Sequence, residues 1–130
     1  MNIYYVCTGN SFRSPLAEAL TNKYLQNFEA RSGGTNPAQN IAANAQELIS
    51  QDNGLKFIKN KPEPISIKNM RWADEIIGME REHTEIIEKN YPDMKDKIRI
   101  WNIADPIRPE IEAGAVYKKI KSRVIQLKKK

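Results

Sequence analysis

The sequence has one cysteine and one histidine among its 130 residues, and no apolar run approaches the length of a membrane span. A single cysteine excludes an internal disulfide framework. The only histidine, His83, has no cluster of metal-ligand residues around it, so we predict a solvent-exposed imidazole, no metal and no cofactor. The chain enters its first predicted strand at once, without a leader-like segment. We therefore expect a cytoplasmic protein in a reducing compartment, with no membrane partner.

What the sequence does have is an excess of positive charge. Lysine and arginine number 21 against 16 acidic residues, which gives a net charge of +5. Part of the excess lies in 118–130, which we interpret as a solvated helix face followed by a basic tail at 128–130. A basic surface would steer acidic, phosphorylated substrates. No basic-aromatic module accompanies the charge, so nucleic acid is not an expected partner.

Alternating strand and helix patterns predict an α/β protein. At 130 residues and 40% hydrophobic content, the chain suits a single domain spanning 1–130. Strands that alternate with helices favour a parallel sheet covered on both faces, here a three-layer α/β/α sandwich with four strands. The basic, proline-bearing segment 56–64 is predicted to loop out, and Ser66 to cap a short helical turn. Strands are predicted at 3–6, 28–32 (ended by Gly33-Gly34), 74–79 and 98–101, and longer helices at 14–27, 40–51, 80–90 and 109–127.

The turn after the first strand carries the most specific chemical signal. It reads Cys7-Thr8-Gly9-Asn10-Ser11-Phe12-Arg13-Ser14 and leads directly into a predicted helix. Backbone amides of such a turn, together with the helix dipole, converge on an oxyanion. Arg13 can hold two oxygens of that anion. The same positive field favours the thiolate form of Cys7, which is the nucleophilic form. The pattern therefore predicts a phosphate loop and a cysteine-dependent phosphatase.

Residues 6–15 resemble the phosphate loop of the low-molecular-weight protein tyrosine phosphatases, a family that shares its fold with thioredoxin-coupled arsenate reductases. Asp105-Pro106 matches an Asp-Pro pair of that family, and the order of elements agrees over nearly the whole chain. The resemblance implies hydrolysis of phosphotyrosine and aryl phosphates through a phosphocysteine intermediate. Cys7 would be the nucleophile, Arg13 the phosphate clamp and Asp105 the general acid. The implied partners are phosphotyrosine-bearing proteins or small aryl phosphates, and phosphate-like oxyanions would inhibit.

The resemblance also implies supporting roles around the loop. Asn10 would take a left-handed backbone conformation and tie the loop together, with Ser32 supporting it. Ser14 would donate to the thiolate, although a serine at this point also suits a helix cap. The residues implied to bind the phosphoryl group are Thr8, Gly9, Asn10, Ser11, Phe12, Arg13 and Ser14.

The topology gives Cys7 and Asp105 a reason to meet. The loop of Cys7 follows the first predicted strand, and the loop of Asp105 follows the fourth. Carboxyl ends of parallel strands share one rim of the sheet, which is where ligands bind in such folds. We therefore expect the two side chains to contribute to one site, about a hundred residues apart in sequence. Trp101, just before the second loop, would be a core residue or would line the entrance.

Two departures from the family pattern keep other functions open. Ile107-Arg108 stands where many members have two aromatic residues, and Phe12 stands where eukaryotic members have a second cysteine. The first departure weakens the preference for phosphotyrosine, because ring stacking is lost. Arsenate would fit the same loop, but its reduction would need an external thiol because the chain has no further cysteine. A phosphoprotein-binding module without turnover is the third possibility.

Overall fold

Four parallel strands form the centre of the computed structural model, which describes residues 1–128. Their order across the sheet is β2-β1-β3-β4, so β1 is an inner strand and lies next to β3. Every residue of β1 from Ile3 to Cys7 is buried, as expected for a parallel strand covered on both faces. The strands are β1 (Asn2–Cys7), β2 (Glu29–Gly34), β3 (Glu75–Gly78) and β4 (Ile98–Ile100).

Helices cover both faces of this sheet. Alternation along β1 sends Ile3, Tyr5 and Cys7 into a core with α1, α2 and α5, whereas Tyr4 and Val6 pack with α3 and α4 on the other face. The predicted three-layer α/β/α sandwich is thus confirmed. Within residues 1–128, no helix combines the length and the apolar character needed to cross a membrane. The helices are α1 (Arg13–Tyr24), α2 (Ala43–Gln51), α3 (Ile67–Trp72), α4 (Arg81–Asn90) and α5 (Ala113–Leu127), with short 3₁₀ turns at Leu55–Phe57 and Pro92–Lys97.

The second strand is displaced from its predicted range because it includes the two glycines that we expected to end it. Gly33 and Gly34 pair with Val6 and Cys7 at the end of β1. A Cβ atom at Gly34 would lie 2.6 Å from the carbonyl oxygen of Thr8, closer than real contacts allow. Glycine therefore lets β2 pass directly beside the loop that follows β1.

As predicted, the segment 56–64 joins no α-helix and no strand of the sheet, but it does not project away from the fold. Its end lies along the edge of β2, where Gly34 N–H donates to Glu63 O at 2.8 Å and Ile65 N–H donates to Gly34 O at 3.0 Å. In the same segment, the side chain of Lys59 is 9% exposed and its ammonium donates to Asn10 Oδ1 and to Ser32 O. The predicted cap on the next helix is confirmed, since Ser66 Oγ accepts from the N–H of Asn69.

Two helices start later than predicted because the residues before them are held by other contacts. Residues 40–42 bind the loop after β1, where Ser11 Oγ donates to Asn40 O and Ala42 N–H donates to Ser11 O. Residues 105–111 form turns instead of helix, so α5 begins at Ala113. Of the predicted basic tail, Lys129 and Lys130 lie outside the described residues.

A carboxylate at the end of α2 ties three helices together, and its loss should destabilise the fold. Asp52 accepts from the hydroxyls of Tyr24 and Tyr117 and from Lys121 Nζ. Burial opposes its ionisation, but these hydrogen bonds prevail and lower the pKa of Asp52 to about 2. We expect Asp52→Asn to reduce the free energy of unfolding by about 2 kcal/mol at neutral pH, measured by denaturant unfolding.

The pH dependence of that difference follows from the lowered pKa of Asp52. The contribution is fully present above the unfolded-state pKa, roughly 4, and is lost as the pH falls through the folded-state value of about 2. The gap between wild type and Asp52→Asn should therefore shrink on acidification. Glu47→Gln, which removes an exposed carboxylate from the same helix, is the matched control. Equal stability of the two variants at neutral pH would refute the role of Asp52.

Candidate active site

The loop between β1 and α1 turns its carbonyl groups outward and leaves its amides unengaged. Four of its carbonyl oxygens accept hydrogen bonds from the surrounding chain, whereas within residues 1–128 no amide of residues 8–12 donates one. Unpaired amides gathered at a helix N-terminus form an anion-binding cradle. The outward bonds run from Thr35 N–H to Cys7 O, from Asn36 N–H to Thr8 O, from Ala38 N–H to Gly9 O and from Ala42 N–H to Ser11 O.

The thiol of Cys7 lies in this loop, 2% exposed, with a hydroxyl beside it. Cys7 Sγ is 2.9 Å from Ser14 Oγ. Asn10 Nδ2 donates to the same Ser14 oxygen at 2.8 Å, so the Ser14 hydroxyl hydrogen remains available to donate to sulfur. A hydroxyl that donates to sulfur stabilises its anionic form. The alternative for Ser14, a helix cap, is absent here, because α1 has Phe12 at its N-cap position and no side-chain cap bond.

Asn10 connects the loop to the structure beneath it. Its backbone has φ of 50°, in the left-handed region that asparagine tolerates better than most residues. Its amide nitrogen also donates to Ser32 Oγ at 2.9 Å, and its oxygen accepts from Lys59 Nζ and from the N–H of Glu63, each at 2.8 Å. Every hydrogen-bonding atom of this buried side chain is thus used. Lys59 was not predicted as part of the site, since a lysine in a basic loop ordinarily faces solvent.

Below Asn10, a partly buried acid completes the support of the loop. Ser32 Oγ donates to Glu18 Oε1 at 2.6 Å. Burial raises the pKa of Glu18, although this hydrogen bond and the charge of Lys59 act in the opposite direction. Lys59 also pairs with Glu63 at 2.8 Å, so its ammonium is held between the loop and the surface. The layer is arranged to hold the loop in one shape.

Arg13, at the other end of the loop, is held by groups from the segments that follow β3 and β4. It is 2% exposed, and its Nη1 donates to Glu80 Oε1 at 2.6 Å and to Ile103 O at 2.8 Å. The Nη2 atom lies 3.4 Å from Asp105 Oδ2. Glu80, which is predicted from the sequence only as the start of a helix, thus anchors the guanidinium. No local pattern signals this role, because Glu80 and Arg13 are brought together only by the pairing of β3 with β1.

The prediction that His83 is exposed to solvent is wrong. The imidazole has 0% exposure, and its Nε2 lies 2.8 Å from Thr8 Oγ1 in the loop. Its Nδ1 accepts from the N–H of Glu80 at 3.0 Å. The residue lies in the first turn of α4, directly after β3, so the fold brings it beside the loop that follows β1. The sequence pattern of an amphipathic surface helix predicts that most polar side chains are exposed, but it does not identify which residue of the first turn points inward.

Asp105 lies on the rim above the loop. Its Oδ1 accepts from the N–H of Ile107 at 3.1 Å, which fixes the carboxyl group in a turn, and its Oδ2 faces Arg13. The side chain is 29% exposed, so protons can exchange with solvent. Asp105, Cys7 and Arg13 line one pocket, at the rim of the sheet where the topology predicts that the loops after β1 and β4 meet.

The remaining walls of the pocket are mostly apolar. Ile107 stands at its mouth with 83% of its surface exposed. Trp101 does not line the pocket; it is buried and packs on Tyr5 with a centroid distance of 5.2 Å. The residues around the opening outside the loop are Ala38, Ala42, Asn44, Pro106 and Ile107.

A group of potential metal ligands lies next to the site but is already occupied by hydrogen bonds. Among residues 1–128, ligand atoms of Glu80, Glu82 and His83 lie within 4.8 Å of one another. Both imidazole nitrogens are engaged, and the Glu80 carboxylate binds Arg13. The group therefore fits a hydrogen-bonded structural role.

The chemistry that the pocket can perform is attack by sulfur on an oxyanion that amides and a guanidinium hold.

Comparison with known proteins gives consistent matches. A family model for low molecular weight phosphotyrosine protein phosphatases matches residues 2–130. A protein-arginine-phosphatase of Geobacillus stearothermophilus is 31% identical over 97 residues, 73% of this chain and 65% of that relative, so the match spans slightly less than two thirds of its length. The low molecular weight protein-tyrosine-phosphatase Wzb of Escherichia coli strain K12 is 30% identical over 125 residues, 89% of this chain and 85% of the relative.

Similarity extends to solved structures and to one reductase. The YwlE arginine phosphatase, solved as a cysteine-to-serine variant with a phosphorylated active-site serine, superposes with a TM-score of 0.88 at 25% identity. The match covers 99% of this chain and 94% of that one. An arsenate reductase of Halalkalibacterium halodurans is 25% identical over 94% of this chain and 88% of its own length.

Proposed function

The chain belongs to the low molecular weight phosphotyrosine protein phosphatase family, and from this premise we propose that it hydrolyses phosphorylated protein side chains through Cys7. The observation that carries the proposal is the loop itself. Within residues 1–128 the amides of residues 8–12 donate no hydrogen bond, the carbonyls face outward, and a thiol accompanied by a hydroxyl lies in the loop. Such a cradle binds a tetrahedral dianion and stabilises the charge that develops on its equatorial oxygens.

In the first step, a lone pair of the Cys7 thiolate forms a bond from sulfur to phosphorus. The bond from phosphorus to the leaving atom breaks, and its electron pair stays with that atom, which takes a proton from Asp105. Arg13 exchanges its contact with Asp105 for the phosphoryl oxygens, while Glu80 keeps the guanidinium in place. The product of this step is phosphocysteine and a neutral leaving group.

In the second step, Asp105 acts as a base. Water gives one proton to the Asp105 carboxylate and bonds to phosphorus through its oxygen. The bond from sulfur to phosphorus breaks, its electron pair returns to sulfur, and inorganic phosphate departs. The Ser14 hydroxyl is placed to donate to the thiolate that leaves. Because inorganic phosphate fits the same loop, we propose that phosphate-like oxyanions inhibit the enzyme.

For the substrate, we propose phosphotyrosine as the first candidate. The family match and the similarity to Wzb support it, as do the apolar walls near the loop, which suit a ring. Phosphoarginine is the second candidate, on two observations. The mouth has Ile107 instead of an aromatic residue, and the relative from G. stearothermophilus is named a protein-arginine-phosphatase. In that case a bond from phosphorus to nitrogen breaks, and Asp105 protonates the guanidine nitrogen.

The chemistry also bears on where the enzyme works. A lone thiolate without a second cysteine has no partner with which to form a protective disulfide. We therefore propose that it acts in a reducing, cytoplasmic environment. The same lack of partner argues against arsenate reduction, which would need an external thiol to resolve the oxidised cysteine.

The test is turnover of four substrates under matched conditions: a phosphotyrosine peptide, a phosphoarginine peptide, a phosphoserine peptide, and arsenate with glutathione and glutaredoxin. We expect phosphate release from phosphotyrosine to exceed release from phosphoserine at least about tenfold in kcat/KM, because an alkoxide is the poorer leaving group. A phosphoarginine rate above the phosphotyrosine rate would select the second candidate. Arsenite production without phosphate release, or tight phosphopeptide binding without turnover, would refute phosphatase function.

A further inference from the structure

The tautomer of His83 is fixed by its backbone contact. Its Nδ1 accepts from the N–H of Glu80 at 3.0 Å. A neutral imidazole has one hydrogen on its two nitrogens, and because Nδ1 is an acceptor, that hydrogen must be on Nε2. The Nε2 atom lies 2.8 Å from Thr8 Oγ1. His83 therefore donates to the Thr8 hydroxyl oxygen.

Burial, helped by the positive charge of Arg13, keeps the imidazole of His83 neutral. Arg13, Glu80, Glu82 and Asp105 face His83, and the nearest carboxylate oxygen of Glu82 is 3.7 Å from Nε2. Burial, followed by the positive charge of Arg13, lowers the pKa of His83 to about 4, although the acids oppose this. At neutral pH the ring thus has one N–H group, at Nε2, and this group donates a hydrogen bond to Thr8 Oγ1.

The Thr8 hydroxyl retains its own hydrogen for another acceptor. A hydroxyl has one hydrogen and two lone pairs, and the imidazole uses only a lone pair. Within residues 1–128, Thr8 Oγ1 makes no further hydrogen bond. Thr8 is only partly buried and lines the pocket next to Cys7. An anion in the loop is the acceptor that this pocket is built to receive.

We propose that the Thr8 hydroxyl is an additional donor to the phosphoryl group in the loop, and that His83 is the positioning residue that directs it. The inference rests on the proposed function of the same site. One turn then organises both ends of the loop, because the Glu80 carboxylate holds Arg13 while the Glu80 amide orients His83. The loop would then bind phosphate with a side-chain donor at each end, Thr8 after β1 and Arg13 at the start of α1.

Matched variants separate positioning from mere packing. His83→Asn keeps an oxygen near the position of Nδ1, which can accept from Glu80, but it has no donor that reaches Thr8. His83→Gln places an amide nitrogen near the position of Nε2, which can donate to Thr8. Thr8→Val removes the hydroxyl with little change in shape, and Thr8→Ser keeps it. Calorimetric titration with inorganic phosphate measures each affinity without relying on turnover, and thermal unfolding reports whether each variant folds.

We expect Thr8→Val and His83→Asn each to weaken phosphate binding by roughly tenfold or more, as loss of a hydrogen bond to a charged group does. The double variant should be no weaker than the single ones, because both remove the same interaction. His83→Gln and Thr8→Ser should stay within about threefold of wild type. In Thr8→Val and His83→Asn, KM for a phosphorylated substrate should rise together with the dissociation constant for inorganic phosphate.

Unchanged phosphate affinity in Thr8→Val would overturn the proposal, as would losses that multiply in the double variant. If the His83 variants fail to fold, the comparison of Thr8→Val with Thr8→Ser still decides whether the hydroxyl binds the anion. The proposed function fails separately, through wild-type protein that binds phosphate but turns over no phosphorylated substrate.

Discussion

Replacing Cys7 with serine should reduce turnover of p-nitrophenyl phosphate by at least about 10⁴-fold. A serine hydroxyl is a far weaker nucleophile than a thiolate, and within residues 1–128 no basic side chain is hydrogen-bonded to the sulfur of Cys7. The group beside the sulfur is the Ser14 hydroxyl, which is placed to donate a hydrogen and not to remove one. Initial-rate measurements on the purified variant test this.

Loss of chemistry in that variant must be separated from loss of the binding site. The amides of residues 8–12 and the guanidinium of Arg13 remain in Cys7→Ser, so inorganic phosphate should still bind with an affinity within about tenfold of wild type. The midpoint of thermal unfolding of Cys7→Ser should be similar to that of the wild-type protein. Turnover by Cys7→Ser within tenfold of wild type would mean that sulfur is not the nucleophile.

Replacing Asp105 with asparagine should lower kcat by about 10²–10⁴-fold, the usual contribution of general acid–base catalysis. The asparagine keeps the size of the side chain and can accept from Ile107 N–H, but it cannot deliver a proton. The loss should grow with the basicity of the leaving group, so alkyl phosphates should suffer more than p-nitrophenyl phosphate. Phosphate affinity should not fall, because the variant removes a negative charge that contacts Arg13. Steady-state kinetics on a series of leaving groups measures the effect.

Glu110→Gln is the matched control for Asp105→Asn. Glu110 is an exposed acid of the same segment, between Asp105 and the start of α5. Its replacement should leave kcat within about twofold, as expected for a surface charge. If the two variants are equally active on every leaving group, another residue supplies the proton.

The sequence was informative where the site is local. The thiol, the glycine, the asparagine and the arginine lie within one turn, and the strand before and the helix after that turn are visible in the hydrophobic pattern. Asp105 could be placed on the same rim because parallel strands end at a common edge. The order of the strands, β2-β1-β3-β4, then brings the carboxyl group to Arg13.

Residues that act across the sheet could not be recognised in the same way. Two of these residues, Glu80 and His83, follow β3, and Lys59 lies in the segment that ends along the edge of β2. They reach the loop only because β2 and β3 flank β1. Each has the local sequence pattern of an ordinary surface residue. The late start of α2 has a similar origin, since residues 40–42 bond to Ser11 instead of forming a helical turn. Local propensity does not contain these contacts, which exist only after the sheet has formed.

Trapping the phosphorylated enzyme tests the role of Cys7 most directly. Asp105→Asn retains the nucleophile but has no base to activate water, and p-nitrophenolate leaves readily without an acid. Quenching this variant during turnover of p-nitrophenyl phosphate, followed by mass spectrometry of its peptides, should show a phosphoryl group on the sulfur of Cys7. Product formation with no phosphorylated peptide, or with the phosphoryl group on a different residue, would contradict the phosphocysteine route.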